Sequence, residues 1–237
     1  MANYQFHAAD SRGDANHGWL RSRHTFSFSN YYDPDRMNFG TLRVLNDDHV
    51  AAGMGFGTHS HDNMEIISIP LSGDLEHRDS MGNAEIIRNG DIQVMSAGRG
   101  IKHSEYNKSK EEPVKFLQIW VLPNQRDVEP RYDQLTLDPQ DRLNRFQQVV
   151  SPFPDDEGVW LHQDAWFSLS KFEKGVEQTY ILKGEGTGLY VFNLSGDIEV
   201  DGQRLSDRDG LAVTDVGEIT VKAISDAEFL LMEVAML

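Results

Sequence analysis

The chain has 237 residues, with 22 Lys plus Arg against 38 Asp plus Glu, and no cysteine. Its formal net charge of −16 repels phosphate backbones and anionic lipid, which argues against direct nucleic-acid or membrane-surface binding. The missing thiols exclude disulfide frameworks, thiolate zinc sites, iron–sulfur clusters and cysteine nucleophiles, and no apolar run approaches the roughly 18 residues of a membrane span.

The opening residues, MANYQFHAADSRGD, lack the basic and apolar regions of a secretory signal, so a soluble cytoplasmic protein is expected. Further along, short runs rich in Val, Ile, Phe and Tyr recur between clusters of Gly, Asn, Asp and Ser, the pattern of β-strands. The plainest predicted strands are 41–45, 65–70, 74–78, 84–88, 91–95 and 114–122, then 190–194, 197–200, 218–221 and 228–234. Ser80-Met81-Gly82-Asn83 and Asp201-Gly202 supply hairpin turn chemistry. Helical signal is thin and is best around 139–148, where polar residues dominate. Mainly antiparallel β structure follows.

An internal repeat is visible. Ser72-Gly73-Asp74-Leu75-Glu76 recurs as Ser195-Gly196-Asp197-Ile198-Glu199, Gly90 is matched with Gly210, and Phe116-Leu117 with Phe229-Leu230. The order is kept while the spacing shrinks, so the second copy lacks residues where the first carries GRGIKHSEYN. Two β domains of one kind are expected, over 1–133 and 134–237, joined through the Pro-containing, charged stretch 123–150.

Among nine histidines, two short patterns stand out. His59-Ser60-His61 has i, i+2 spacing, which places both imidazoles on one strand face. His103-Ser104-Glu105 repeats that geometry with an imidazole and a carboxylate. On neighbouring strands the two pairs converge into a site of three nitrogens and one oxygen. That donor set suits Fe(II), Mn(II), Ni(II), Cu(II) or Zn(II) and leaves positions open for other ligands.

These residues carry a resemblance. Gly53-x5-His59-x-His61-x3-Glu65-x7-Gly73 resembles the first cupin motif, with one extra residue before the last glycine. Gly90-x5-Ser96-x-Gly98 followed by His103-x3-Asn107 is similar to the second, with Ser96 where proline is usual and a longer spacer before the histidine. The form of 96–105 resembles the pirin branch of the cupins. So do His17-Gly18-Trp19-Leu20, His24-Thr25-Phe26-Ser27-Phe28, Tyr31-Tyr32-Asp33-Pro34 and Asp79-Ser80-Met81-Gly82-Asn83. The resemblance is dense over 17–133, diffuse beyond, and nearest to bacterial pirin-like quercetin 2,3-dioxygenases.

The resemblance implies an all-β bicupin: two tandem jelly-roll-like barrels, the N-terminal one binding a single divalent transition metal. The ligands carried over are His59, His61, His103 and Glu105, with Fe(II) the expected metal and Mn, Ni, Cu, Zn or Co compatible. Glu65 is the competing carboxylate, because many cupins use the glutamate of the first motif. Glu105 is preferred, since Glu65 lies about 13 Å along a straight strand from His61. The second domain has no counterpart: Leu182 and Gly184 stand where His59 and His61 would, its segment 217–219 has no histidine, and His162 is its only one.

The implied activity is a dioxygenase that opens the central ring of a flavonol with O₂ and releases carbon monoxide, Glu105 acting as general base. The alternative is a metal- or redox-responsive regulator working through a protein partner; an isomerase or hydrolase is a third reading. An open cup would favour the enzyme and a sealed site the regulator. A monomer is expected. His24, Phe26 and Phe28 are read as packing residues, His77 as a candidate second-layer residue, and Arg99 and Lys102 as loop charges that could meet an anion. Trp19, Trp120, Trp160 and Trp166 are read as core or interface aromatics.

Overall fold

The computed structural model describes residues 2–237. Strand β1 (Asn3–His7) is followed by a 3-10 turn, Ala9–Ser11, the sole helical element among the described residues. Then come β2 (Gly13–Asn16), β3 (Leu20–His24), β4 (Leu42–Val50), β5 (Gly55–His61), β6 (Glu65–Ser72) and β7 (Leu75–Asp79). Next are β8 (Ala84–Ile87), β9 (Asp91–Ser96), β10 (Ile101–Asn107), β11 (Val114–Val121) and β12 (Arg131–Thr136). The second half holds β13 (Gln147–Ser151), β14 (Val159–Trp160), β15 (Ala165–Phe172), β16 (Glu177–Ile181) and β17 (Thr187–Ser195). It closes with β18 (Ile198–Val200), β19 (Gln203–Leu205), β20 (Gly210–Thr214), β21 (Glu218–Ala223) and β22 (Ala227–Ala235). All ten predicted strands are present. The stretch 139–148 is not helical: it forms turns and the start of β13, because its polar residues offer no apolar stripe to bury.

Contacts divide the chain into two compact units. The N-terminal unit is Gly13–Leu137 together with Val159–Gln163; the C-terminal unit is Asp138–Gly158, Asp164–Leu237 and residues 2–12. The units are therefore discontinuous, unlike the linear division expected at 133/134. Strand β1 pairs antiparallel with β20, from Asn3 against Thr214 to His7 against Gly210. His162 belongs with the N-terminal unit, which corrects its assignment to the second domain. The C-terminal unit instead holds His7, buried, with Nδ1 2.8 Å from the Tyr190 hydroxyl.

Each unit is a pair of facing antiparallel sheets. In the N-terminal unit the larger sheet runs β12-β9-β6-β11-β4-β3-β2 and the smaller β5-β10-β7-β8. The C-terminal unit repeats this with β20-β17-β22-β15 in the larger sheet and β16-β21-β18-β19 in the smaller. Gly73 and Gly196, matched in the repeat, have φ of 74° and 76°. A Cβ on either would crowd equivalent backbone, that of Pro113 and Val114 or of Asp226 and Ala227. Gly90 and Gly210, by contrast, are not equivalent. Gly90 (φ 96°) is matched in role by Arg208 (φ 65°). Each precedes an aspartate, Asp91 or Asp209, that accepts the backbone N–H three residues earlier, of Arg88 or Ser206.

In the C-terminal unit one cluster joins the sheets, including Phe172, Leu189, Leu211 and Phe229 against Ile198, Leu205, Ile219 and Val221. The N-terminal unit includes a cluster of Leu20, Val50, Leu75, Ile87, Val114 and Phe116 and another of Ile66, Met95, Ala97 and Ile101. Between its sheets lies a cavity of about 510 Å³. No helix among the described residues is long and apolar enough to cross a membrane.

Candidate metal centre

Strand β10 alternates cleanly. Ile101, His103, Glu105 and Asn107 point inward and are buried, while Lys102 and Tyr106 are exposed. On one side β10 pairs with β5, His103 facing His59 and Ile101 facing His61. A β-bulge then shifts the register so that Glu105 faces Phe56. On the other side β10 pairs with β7, which sets Glu105 against His77 and His103 against Asp79.

This pairing gathers the imidazoles. Ring centroids of His59, His61 and His103 are 4.4 to 4.9 Å apart, and one nitrogen from each lies within 4.8 Å of the others. His77, His103 and Glu105 form a second group by the same measure. Glu65 belongs to neither. It sits on β6, buried, accepting a hydrogen bond from Ser96 Oγ at 2.7 Å, and burial pushes its carboxyl up to about 7.

Nδ1 of His59 donates to the carbonyl oxygen of Gly57 at 2.8 Å, which leaves the lone pair of the neutral ring on Nε2. Nε2 of His103 lies 3.0 Å from that atom. Two nitrogens bound about 2.0–2.1 Å from one ion stand about 3.0–3.4 Å apart, so the spacing is that of neighbouring ligands. Burial, reinforced by the His59 ring, pushes His61 down to about 4 and His103 down to about 2. Both present neutral nitrogens at physiological pH. Glu105 is buried and its carboxyl is pushed up to about 7, with Ser68 opposing the rise. Ser68 Oγ donates to Glu105 Oε1 at 3.0 Å, and Gln118 Nε2 donates to Ser68 Oγ at 3.0 Å. The residues present fit a divalent ion: borderline nitrogen donors, one carboxyl, and a hydrogen-bonded layer behind it.

The cavity opens from this cluster. His59, His61 and Glu105 line it beside Trp19, Phe56 and Trp120, and exposed Ser29 and Gly57 stand at its rim. Trp120 packs edge-on against His61, 4.9 Å between centroids. Trp19 and Trp120 are thus cavity walls rather than filler. His77 is fully buried, with Nε2 3.2 Å from Asp79 Oδ2. Arg99 is engaged with Glu129 at 2.7 Å, and neither it nor Lys102 lines the cavity. Ser68, Gln118, Asn46 and Asp48 were not foreseen. The one signal for them is a polar residue at an inward position of an otherwise apolar strand.

The C-terminal unit fills the corresponding place with a carboxyl group. Glu233, on β22 where the repeat aligns it with Trp120, is fully buried. It accepts from Gly184 N at 2.7 Å, Lys183 N at 2.9 Å, Thr187 Oγ1 at 2.7 Å and Tyr180 Oη at 3.0 Å. The segment that would bear the histidines closes on it.

Residues 5–121 match the family described as Pirin, and residues 148–234 match the quercetinase C-terminal cupin domain. A protein of Escherichia coli (strain K12) named quercetin 2,3-dioxygenase is 44% identical over 229 residues, 95% of this chain and 96% of that one. The chain belongs to the pirin family. A pirin-like protein of Caulobacter vibrioides is 40% identical over 227 residues, 95% of this chain and 97% of the other. Among solved structures, the bacterial pirin YhhW of Escherichia coli in complex with nickel(II) superposes with a TM-score of 0.93 at 40% identity. That match covers 99% of this chain and 100% of the other. The chain is thus an all-β bicupin, and pirin relatives imply a divalent metal for it.

Proposed function

We propose that this pirin is a metal-dependent dioxygenase that opens the central ring of a flavonol-type substrate with O₂ and releases carbon monoxide. His59, His61, His103 and Glu105 hold one divalent ion, Fe(II) being the proposed metal. The observation that carries this reading is the convergence of the His59, His61 and His103 imidazoles, with Glu105 grouped beside His103, at an aromatic-lined cavity of about 510 Å³. That volume is of the size that encloses a drug-sized ring system. The name of the relatives supports the substrate class.

When bound, the metal supplies a Lewis acid that polarises an enolic oxygen and a place where O₂ meets the substrate. The protein does the rest. Trp19, Phe56 and Trp120 hold a planar ring system by stacking and exclude water from it. Glu105, kept in place by Ser68 and Gln118, takes the enolic proton as general base. A regulator without a substrate calls for a sealed site, and the cavity weighs against it.

The test is O₂ uptake and carbon monoxide release with quercetin, using protein stripped and reloaded with Fe(II), beside His103→Ala treated identically. Equimolar O₂ consumed and carbon monoxide released by wild type alone is the expected result. Absence of turnover at full metal occupancy would overturn the reading in favour of the regulator.

A further inference from the structure

The inward face of the larger N-terminal sheet carries polar residues where a cup wall would ordinarily be apolar. Strand β3 contributes Ser22 and His24, and β4 contributes Asn46 and Asp48. In register, Ser22 faces Asp48 and His24 faces Asn46. On its other side Asn46 faces Gln118, which reaches back to Ser68 and Glu105. All four residues line the cavity, and none is more than 4% exposed. His24 Nδ1 and Asn46 Oδ1 are buried without a hydrogen-bond partner, and Ser22 Oγ and Asp48 Oδ1 have none beyond the Ser22–Asp48 contact itself.

Buried polar atoms are nearly always partnered, so this under-satisfied group at one cavity wall calls for a ligand. They are not part of the metal centre, since neither group of converging donors includes them. A charged ligand does not fit. Burial pushes the Asp48 carboxyl up to about 7, despite Ser22 beside it, and pushes His24 down, with His17 adding to the fall. At pH 7 the Asp48 carboxyl is about half ionised, so the wall carries little net charge. Asn46 Oδ1 accepts, while Ser22, His24 and Asp48 can each accept or donate, a set that hydroxyl groups, which do both, satisfy.

We propose that Ser22, His24, Asn46 and Asp48 form a hydroxyl-reading subsite, which selects aromatic substrates bearing hydroxyl groups beyond the one that meets the metal. The assignment rests on the dioxygenase reading for the substrate class only; the subsite itself is a binding property.

The test is equilibrium binding to metal-loaded protein without O₂, followed by quenching of the fluorescence of the cavity tryptophans. Quercetin, with a vicinal pair of hydroxyls on its pendant ring, is compared with galangin, which has none there. Wild type should bind quercetin about 10- to 100-fold more tightly. Ser22→Ala/Asn46→Leu should remove most of that preference while leaving galangin affinity and metal content within about twofold. Should that variant fold poorly, the near-isosteric Asp48→Asn and the wild-type ratio still decide the matter. Equal affinity of wild type for both flavonols, or equal loss of both in a folded variant, would overturn the subsite. Admission of O₂ to the quercetin complex separates the two ideas. A binding preference without turnover defeats the dioxygenase and leaves the subsite standing, and turnover without preference does the reverse.

Discussion

The imidazole of His59 donates through Nδ1 to the carbonyl of Gly57, two residues earlier on the same strand. The contact lies within the bulge of β5, which spans Phe56 to His59. Just before it, β5 approaches β10 closely at Gly55. A Cβ there would run into the carbonyl oxygen of Glu105 and the Cα of Tyr106, whereas one at Gly57 meets only the Tyr106 hydroxyl at 3.8 Å. Gly55→Ala should cost about 1–3 kcal/mol and weaken metal binding at least about tenfold by parting His59 from His103. Gly57→Ala should leave both nearly unchanged. Thermal melts and metal titrations of the two variants side by side check this.

Metal binding should release a proton from a carboxyl rather than from His61 or His103. Glu105 titrates at about 7 before ligation, while those imidazoles sit at about 4 and about 2. Near pH 6 Glu105 is mostly protonated and must lose its proton to ligate. It therefore releases close to one proton near pH 6, about half near pH 7, and little above pH 8. Apparent affinity falls by up to about tenfold per pH unit below 7 on this account. Calorimetry in two buffers of different ionisation enthalpy counts the protons, and Glu105→Gln should remove this release.

The same burial governs folding of the metal-free protein. The folded-state pKa of Glu105, Glu65 and Asp48 is raised to about 7 in each case. Their contribution to stability is therefore fully present below the unfolded value of about 4 and is lost as pH rises through 7. Denaturant melts of metal-free protein should move to lower midpoints as pH rises from about 4.5 to 7 and level off above that. Double replacement Glu65→Gln/Asp48→Asn should flatten that slope.

Ser68 and Gln118 form the hydrogen-bonded layer behind Glu105, the proposed carboxylate ligand. Ser68→Ala takes away the hydroxyl that opposes the rise of the Glu105 carboxyl. Metal affinity should drop about 10- to 100-fold, with the proton release shifted to higher pH. Titration of the variant across pH, rather than turnover alone, distinguishes this from simple loss of fold.

Much of the scaffold was legible because strands announce themselves by alternation and turns by their residues. Both histidine pairs are also local patterns, and two-residue spacing alone puts each pair on one face. What stayed hidden is non-local. The β5 bulge depends on a partner strand more than 40 residues away in sequence, at His103 and Glu105. Gly210 was a false match to Gly90 because letter identity stood in for backbone role, which Arg208 fills with a positive φ. Asn46 and Asp48 sit in a stretch, Asn46-Asp47-Asp48, that reads as a turn, yet β4 runs straight through it.

Glu233 should matter to the C-terminal unit alone. Glu233→Leu removes the acceptor of four donors, the buried hydroxyls of Tyr180 and Thr187 and the part-buried N–H groups of Lys183 and Gly184, and should cost about 3 kcal/mol or more. Metal content of the folded fraction should stay at the wild-type level, which elemental analysis after a thermal melt would verify.

The pairing of β1 with β20 also orders events on the ribosome. Asn3–His7 leaves the exit tunnel some two hundred residues ahead of Gly210–Thr214. Throughout elongation the leading segment has no strand to add to, and Phe6 and its neighbours must wait unpaired until the barrel they complete has been synthesised. A substitution that blocks β1 from pairing should thus retard closure of the later-made unit, leaving the earlier-made one to fold on its own schedule.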